Sequence, residues 1–170
     1  MSTSDRILDA ALACAQHSQA FTMAEVAAGA GLSRQAVYLH FPDRAALLAA
    51  LAQRLEAAAP PSQAPAPSAR AALTALVARL AEEHPQAWPL ARSLGANPGD
   101  AARLTACRAL AERFKAEGAL SPHLSVATAA DLLSTLTSLS VWAELVPGRG
   151  WDAGRYRTHI AYLATGALTK

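Results

Sequence analysis

Three features of this 170-residue chain predict an all-α fold. Its apolar residues recur at helical spacing along most of its length, with no strand-like alternation and no internal repeat. Alanine, the strongest helix former, is abundant, while aromatic residues make up only 5%. Ser, Thr and Asp stand just ahead of the periodic runs, and Gly or Pro just behind them, as helix starts and stops require. The pattern divides into an N-terminal three-helix domain, residues 1–46, linked by a fourth helix to a C-terminal helical body, residues 47–170. An apolar fraction of 52% suffices for one core or two small ones and excludes wholesale disorder.

The first helix is expected over Asp5 to Ala15, with Ile7, Leu8, Ala11, Leu12 and Ala15 on one stripe. The second starts at about Met23. Thr22 and Glu25 form the T-x-x-E capping box, and Phe21 and Val26 stand at the positions of a hydrophobic staple. Gly31 ends it, because so sharp a turn needs a residue that tolerates positive φ. Ser33 caps the third helix. Val26, Ala30, Leu32 and Val37 are apolar where such a pair buries its contact face, and Ala27 is small enough for a close crossing. This is the layout of a helix-turn-helix, whose second helix lies in the DNA major groove. The bland alternative is any compact helical hairpin within an all-α core.

The fourth helix is expected from about Arg44 to Ala58, with Leu47, Leu48, Leu51 and Leu55. Pro60 to Pro67 is too proline-rich for helix or sheet. Ser68 then caps a helix carrying Leu73, Leu76, Val77 and Leu80, which His84-Pro85 should break. A short helix follows over Gln86 to Leu94, then a turn at Asn97-Pro98-Gly99. Asp100 to Glu117 is the next helix, with Leu104, Cys107, Ala111 and Phe114 inward and Gly118 as its stop. A long helix is expected from Ser125 to about Val146, a turn at Pro147 to Gly150, and a last helix capped by Asp152. That makes nine.

With its flanks, the two-helix motif becomes specific. Tyr38-Leu39-His40-Phe41-Pro42-Asp43-Arg44 runs straight into Leu47 and Leu48, a Y-x-H-F-P-x-basic-x-x-Leu-Leu pattern opening the fourth helix. From Arg6 to Leu51 the chain closely resembles the N-terminal domain of the tetracycline-repressor (TetR) family of bacterial regulators. Beyond that stretch only helical layout and length are similar. The resemblance implies a homodimeric, ligand-responsive, DNA-binding transcriptional regulator, most simply a repressor released from its operator by a small molecule.

Residue chemistry assigns roles within the reader. Arg34, Gln35 and Ala36 follow the cap, where helix N-terminal residues reach base edges. Arginine suits guanine, glutamine suits adenine, and alanine can touch a thymine methyl. Each can instead be a solvated face residue or meet only phosphate. Thr22 and Ser33 mark helix ends whose N–H groups attract phosphate. The resemblance places Tyr38 and His40 on the DNA backbone and Arg44, where the family commonly has lysine, on a phosphate.

In the body, the resemblance implies an effector site and a dimer contact. The effector site is sought between the middle helices at Leu76, Leu80, Trp88, Leu104, Cys107, Phe114 and Trp142, residue types at positions that are more often plain core than ligand lining. The dimer contact is expected on the last two helices, pairing as a four-helix bundle. Ala129, Leu133, Leu136, Leu139, Ser140 and Ala143 form one stripe; Tyr156, Ile160, Leu163, Ala164 and Ala167 form the other. These stripes can also bury against the protomer's own helices. The scarcity of evident buried charges favours an apolar or neutral effector.

Charge complicates the reader. Residues 1–56 hold four arginines against five carboxylates, whereas the remainder holds eleven basic and eight acidic residues. A DNA reader usually carries a basic face. The deficit predicts weak non-specific binding and motivates an alternative, a regulator acting mainly through protein or small-molecule binding. No phosphate loop, dinucleotide fingerprint, nucleophile elbow or zinc spacing appears, so catalysis, cofactors and metals are not expected. Cys14 and Cys107 are far apart and read as small hydrophobes rather than a thiol sensor. The chain shows no signal peptide and no evident membrane span, and is expected in the cytoplasm.

Overall fold

The structure is a computed structural model describing residues 2–18, 20–58, 66–95, 97 and 99–169; side chains at 56 and 94 are outside the description. Nine α-helices occur among the described residues, and no strand. They are α1 (Thr3–His17), α2 (Met23–Ala30), α3 (Arg34–His40), α4 (Arg44–Ala58), α5 (Ala69–Leu94), α6 (Asp100–Ala116), α7 (Val126–Leu136), α8 (Leu139–Leu145) and α9 (Ala153–Leu168). The chain packs as two units. One is Met1–Ala59 with Gln86–Gly99; the other is Pro60–Pro85 with Asp100–Lys170. The division expected at residues 46 and 47 is thus drawn differently by packing. All of α4 stays with the reader, because Leu47, Leu48 and Leu51 point into its core.

In the first unit, α1 begins two residues earlier than its apolar stripe suggested. Ser2 and Asp5 make a capping box of their own, with Ser2 Oγ accepting from the Asp5 N–H at 3.1 Å. Ile7, Ala11, Val26, Val37, Leu47 and Leu51 are fully buried together, with Phe21 and Phe41 closing the cluster. Burying one such aliphatic side chain stabilises by roughly 1.5–3 kcal/mol. Leu12, Leu32 and Leu55 are only partly buried at its edge.

In the second unit, α6 packs on α7 and α7 on α9. The start of α5 is held twice: Ser68 Oγ accepts from the Ala71 N–H at 3.2 Å, and the Glu117 carboxylate accepts from the Ala69 N–H at 2.9 Å. That hydrogen bond lowers the Glu117 pKa, with help from Arg113.

Two helix boundaries depart from expectation, in opposite directions. α5 runs unbroken through His84-Pro85 to Leu94. Proline fixes φ near the helical value, so its penalty is the lost i→i−4 bond and a steric clash, which packing on either side can outweigh. Conversely, the helix expected over Ser125 to Val146 is two helices, α7 and α8, separated at Thr137 and Ser138. The Thr137 hydroxyl donates to the Leu133 carbonyl at 2.7 Å, and Ser138 Oγ accepts from the Val141 N–H at 3.2 Å, capping a new helix. Local side-chain bonds of this kind compete with the helical ladder. Residues 126–145 are long and apolar enough to pass for a membrane span by composition; the polar break divides them.

The turns follow the sequence more closely. Gly31 adopts φ 64° and its N–H caps α2. Gly148 admits no side chain, since a Cβ there would lie 2.5 Å from the Glu144 carbonyl oxygen. The proline-rich segment lies outside the described residues up to residue 65, as does Pro98 of the expected turn.

Candidate nucleic-acid interface and the polar centre of the body

The reader is positioned from its caps upward. Thr22 Oγ1 accepts from the Glu25 N–H at 3.2 Å, and Glu25 Oε2 accepts from the Thr22 N–H at 2.6 Å. These bonds hold the exposed Glu25 carboxyl below its usual range. Ser33 Oγ accepts from the Ala36 N–H at 3.1 Å. Both predicted caps therefore spend their hydroxyls on the helix starts, leaving any phosphate role to neighbouring groups. α3 is short, and only Val37 is buried on it. With that anchor inward, Arg34, Gln35, Tyr38, Leu39 and His40 are exposed and Ala36 is half-buried.

Arginines inside the reader explain its charge. Arg6 Nη2 donates to the Ala30 carbonyl at 2.7 Å, tying α1 to the end of α2 beside the Gly31 turn. Arg54 pairs with Asp9 at 2.8 Å and donates to the Asp5 carbonyl at 3.3 Å. Arg6 and Arg54 are thus structural, and so are Asp5, Asp9 and Glu25. The other two arginines of residues 1–56, Arg34 and Arg44, stand at the start of α3 and at the start of α4. Arg44 is half-buried, its guanidinium 4.7 Å from the centroid of the Phe21 ring, and Asp43 Oδ1 accepts from the Ala46 N–H at 2.7 Å, capping α4. Asp43 is therefore the N-cap of α4, a role the sequence pattern had not assigned to it.

The body holds a polar centre that helical periodicity did not reveal. The α7–α8 break frees carbonyls, and two side chains take them: His84 Nε2 lies 3.1 Å from the Thr137 carbonyl, and Arg103 Nη1 donates to the Ser134 carbonyl. Arg103, only 9% exposed, also pairs through Nη2 with Asp100 at 2.8 Å. Burial lowers the His84 pKa to about 4, so the ring is neutral at pH 7. Tyr156 is fully buried; burial pushes its phenol up to about 12, against the opposing charge of Arg103. Neither the Tyr156 hydroxyl nor the Arg103 Nε–H has a hydrogen-bond partner. The expectation that buried charge is scarce therefore gives way: Arg103 lies on the buried face of α6, one turn before Cys107.

Of the residues expected to line an effector site, Leu76, Leu80, Cys107, Phe114 and Trp142 are buried in this second unit and Leu104 is half-buried. Cys107 Sγ lies 3.8 Å from Thr137 Oγ1, and Trp142 stacks at a tilt on His84, 5.9 Å between ring centroids. Trp88 belongs to the first unit, where Arg92 lies over its ring. Both cysteines are unbridged, and burial raises both thiol pKa values, which disfavours the reactive thiolate. No group of three or more metal-type ligands occurs among the described residues.

The expected dimer stripes separate by burial. Ala129, Leu133, Leu139, Tyr156, Ile160 and Ala164 are buried in the protomer's own core. Ser140, Leu163 and Ala167 are exposed, and Leu136 and Ala143 half-exposed. Leu132 and Tyr162, which the sequence pattern put in neither stripe, are exposed as well, Tyr162 to 76%.

Residues 7–51 match the sequence profile of the bacterial regulatory proteins of the tetR family. No curated protein matches the chain by sequence. Among solved structures it is similar to SmeT, the repressor of the Stenotrophomonas maltophilia multidrug efflux pump SmeDEF, at 22% identity and TM-score 0.73, covering 100% of this chain and 92% of that one. The SmeT–triclosan complex is similar at 20% identity and TM-score 0.70, covering 100% and 93%. A tetR-family regulatory protein from Rhodococcus RHA1 is similar at 21% identity and TM-score 0.71, covering 99% and 98%. At these identities the likeness speaks for the fold along the whole chain. Residues 7–51 thus match the tetR-family profile, and the chain as a whole shares the fold of these solved structures.

Proposed function

We propose that this chain is a ligand-responsive, DNA-binding transcriptional regulator of the bacterial cytoplasm, acting as a repressor that a small molecule releases from its operator. The observation that carries the reading is the exposed face of α3, where Arg34, Gln35 and Tyr38 project from a helix anchored by Val37 and capped by Ser33. Arg34 and Gln35 would read bases, while Tyr38, His40 and Arg44 would meet the phosphate backbone. The gel shift of DNA upstream of its own gene, at low and moderate salt, tests this. A retarded band that weakens as salt rises supports the reading. No band at low salt overturns it.

A second reading, a regulator acting mainly through protein or small-molecule binding, is favoured by one observation: Arg6 and Arg54 are consumed internally, so few cations remain for DNA. The same gel shift separates the two.

The body would work as a symmetric dimer through the outward apolar residues Leu132, Leu136, Tyr162, Leu163 and Ala167, with reader helices about 34–36 Å apart. The effector would bind at the polar centre around Arg103 and Tyr156. Two buried donors there lack an acceptor, and a ligand oxygen would supply it. The triclosan bound by SmeT is a precedent for a small molecule in this fold.

A further inference from the structure

Five large hydrophobic side chains stand exposed among the described residues, and they fall in two places. Leu132, Tyr162 and Leu163 lie on α7 and α9. Tyr38 and Leu39 lie on α3, a helix of only seven residues. Leu39 is 81% exposed, the most of any of them. A single exposed leucine means little on its own. Its place on the helix gives it meaning. At 3.6 residues per turn, Gln35 and Leu39 each stand about 160° round the axis from Val37, one on either side of the line opposite that buried anchor. Gln35 and Leu39 are also an i,i+4 pair, neighbours on one face. Tyr38 and Ala36 stand on the flanks, about 100° from Val37.

From this geometry we infer that Leu39 is a specificity-determining residue that reads a thymine through its C5-methyl group in the major groove, beside the base contacted by Gln35. The inference rests on the DNA-binding reading above and deepens it. An apolar side chain cannot pair with phosphate or with donor and acceptor edges; the one apolar group on the major-groove floor is the thymine methyl. Ala36, the residue the sequence suggested for that contact, is half-buried at the flank with its N–H on Ser33. Leu39 reaches further and faces outward. Four residues of helix rise about 6 Å, against 3.4 Å per base step, so the thymine should lie one to two steps from the position read by Gln35.

The test uses the full chain and duplexes selected from a random pool by affinity for it. Each thymine of the selected duplex is replaced singly by deoxyuracil, which removes only the methyl, and binding is measured for the wild type and Leu39→Ala. One replacement should weaken wild-type binding about fourfold, the worth of one buried methyl-sized group. Leu39→Ala should bind the thymine duplex about fourfold less well and be indifferent to that replacement. That thymine should sit within two steps of the position whose preference Gln35→Ala relaxes. Leu39→Ala melting with the wild type excludes a folding defect; a variant that melts lower is replaced by Leu39→Met, which should keep partial methyl sensitivity. If Leu39→Ala weakens every duplex alike, or keeps the wild type's full uracil sensitivity, Leu39 does not read a methyl and the inference is overturned. If the wild type selects no duplex, the DNA-binding reading itself fails, a different result.

Discussion

At the scale of single residues, the reader's polar side chains divide into those that would read bases and those that hold the fold. Gln35 stands free on the outward face of α3, so Gln35→Ala should relax preference at one operator position and cost about 1–3 kcal/mol of binding if its contact is bidentate. Arg44 is different. Its guanidinium lies over Phe21, so Arg44→Ala should weaken all duplexes alike and also lower stability by about 0.5–1 kcal/mol from the lost cation–π contact. Binding titrations across single-base operator variants, beside urea melts, distinguish the two; equal shifts in sequence preference would refute the division.

His84 supplies a residue-scale prediction about pH. Its folded pKa, about 4, lies below the unfolded value near 6.5, so between these the unfolded chain binds more protons. Stability is therefore undiminished above about pH 6.5 and falls as pH drops from there toward 4, by about 3 kcal/mol at most. Urea melts at pH 7 and pH 5 should differ, and His84→Gln should flatten the difference. A wild type equally stable at both would show the ring is not held neutral.

At the scale of elements, the caps and turns of α1 to α4 were legible because they are local. Thr22, Glu25, Gly31 and Ser33 carry their conformational preferences in their own chemistry, and each does in the fold what its type favours. The α7–α8 break was not legible, although its residues stood in plain view. Thr137 and Ser138 are tolerable within a helix; they interrupt one here because Arg103 and His84, distant in sequence, accept the burden of the freed carbonyls. Nor did the sequence show the continuity of α5 through Pro85, where proline alone argued for a break. For the candidate site, exposure on α3 followed from the short motif, whereas Arg103 and Tyr156 needed the fold to bring them together.

Two substitutions test this at the element scale. Arg103→Ala should destabilise by about 2–3 kcal/mol, because it strands the Ser134 carbonyl at the break. Pro85→Ala should stabilise, by up to about 3 kcal/mol, because Pro85 is exposed in mid-helix and alanine restores the missing N–H. Chemical denaturation reads both. A neutral Arg103→Ala would mean the break stands without its guanidinium.

At the scale of the whole molecule, the outward apolar residues of α7 and α9 need cover, and a second copy of the chain would supply it. Replacing both Tyr162 and Leu163 by glutamate should convert a dimer into a folded monomer by light scattering at micromolar concentration. A wild type already monomeric there would dispose of the dimer. The units also share one continuous element, since α5 contributes residues to each. A ligand that favours one arrangement of the body should lower operator affinity, and operator should lower ligand affinity by the same factor, typically about 5–150-fold.

The most direct measurement is an anisotropy titration of the wild-type chain and an Arg34→Ala, Gln35→Ala double variant. It uses a selected duplex and a scrambled duplex of the same composition, at one fixed salt concentration. The wild type should prefer the selected duplex by several hundred-fold or more, on the order of the 10³ or greater typical of specific readers. The double variant should lose most of that preference while keeping its weak affinity for the scrambled duplex. Equal wild-type affinity for both duplexes, or an undiminished preference in the double variant, would contradict the claim that α3 reads sequence.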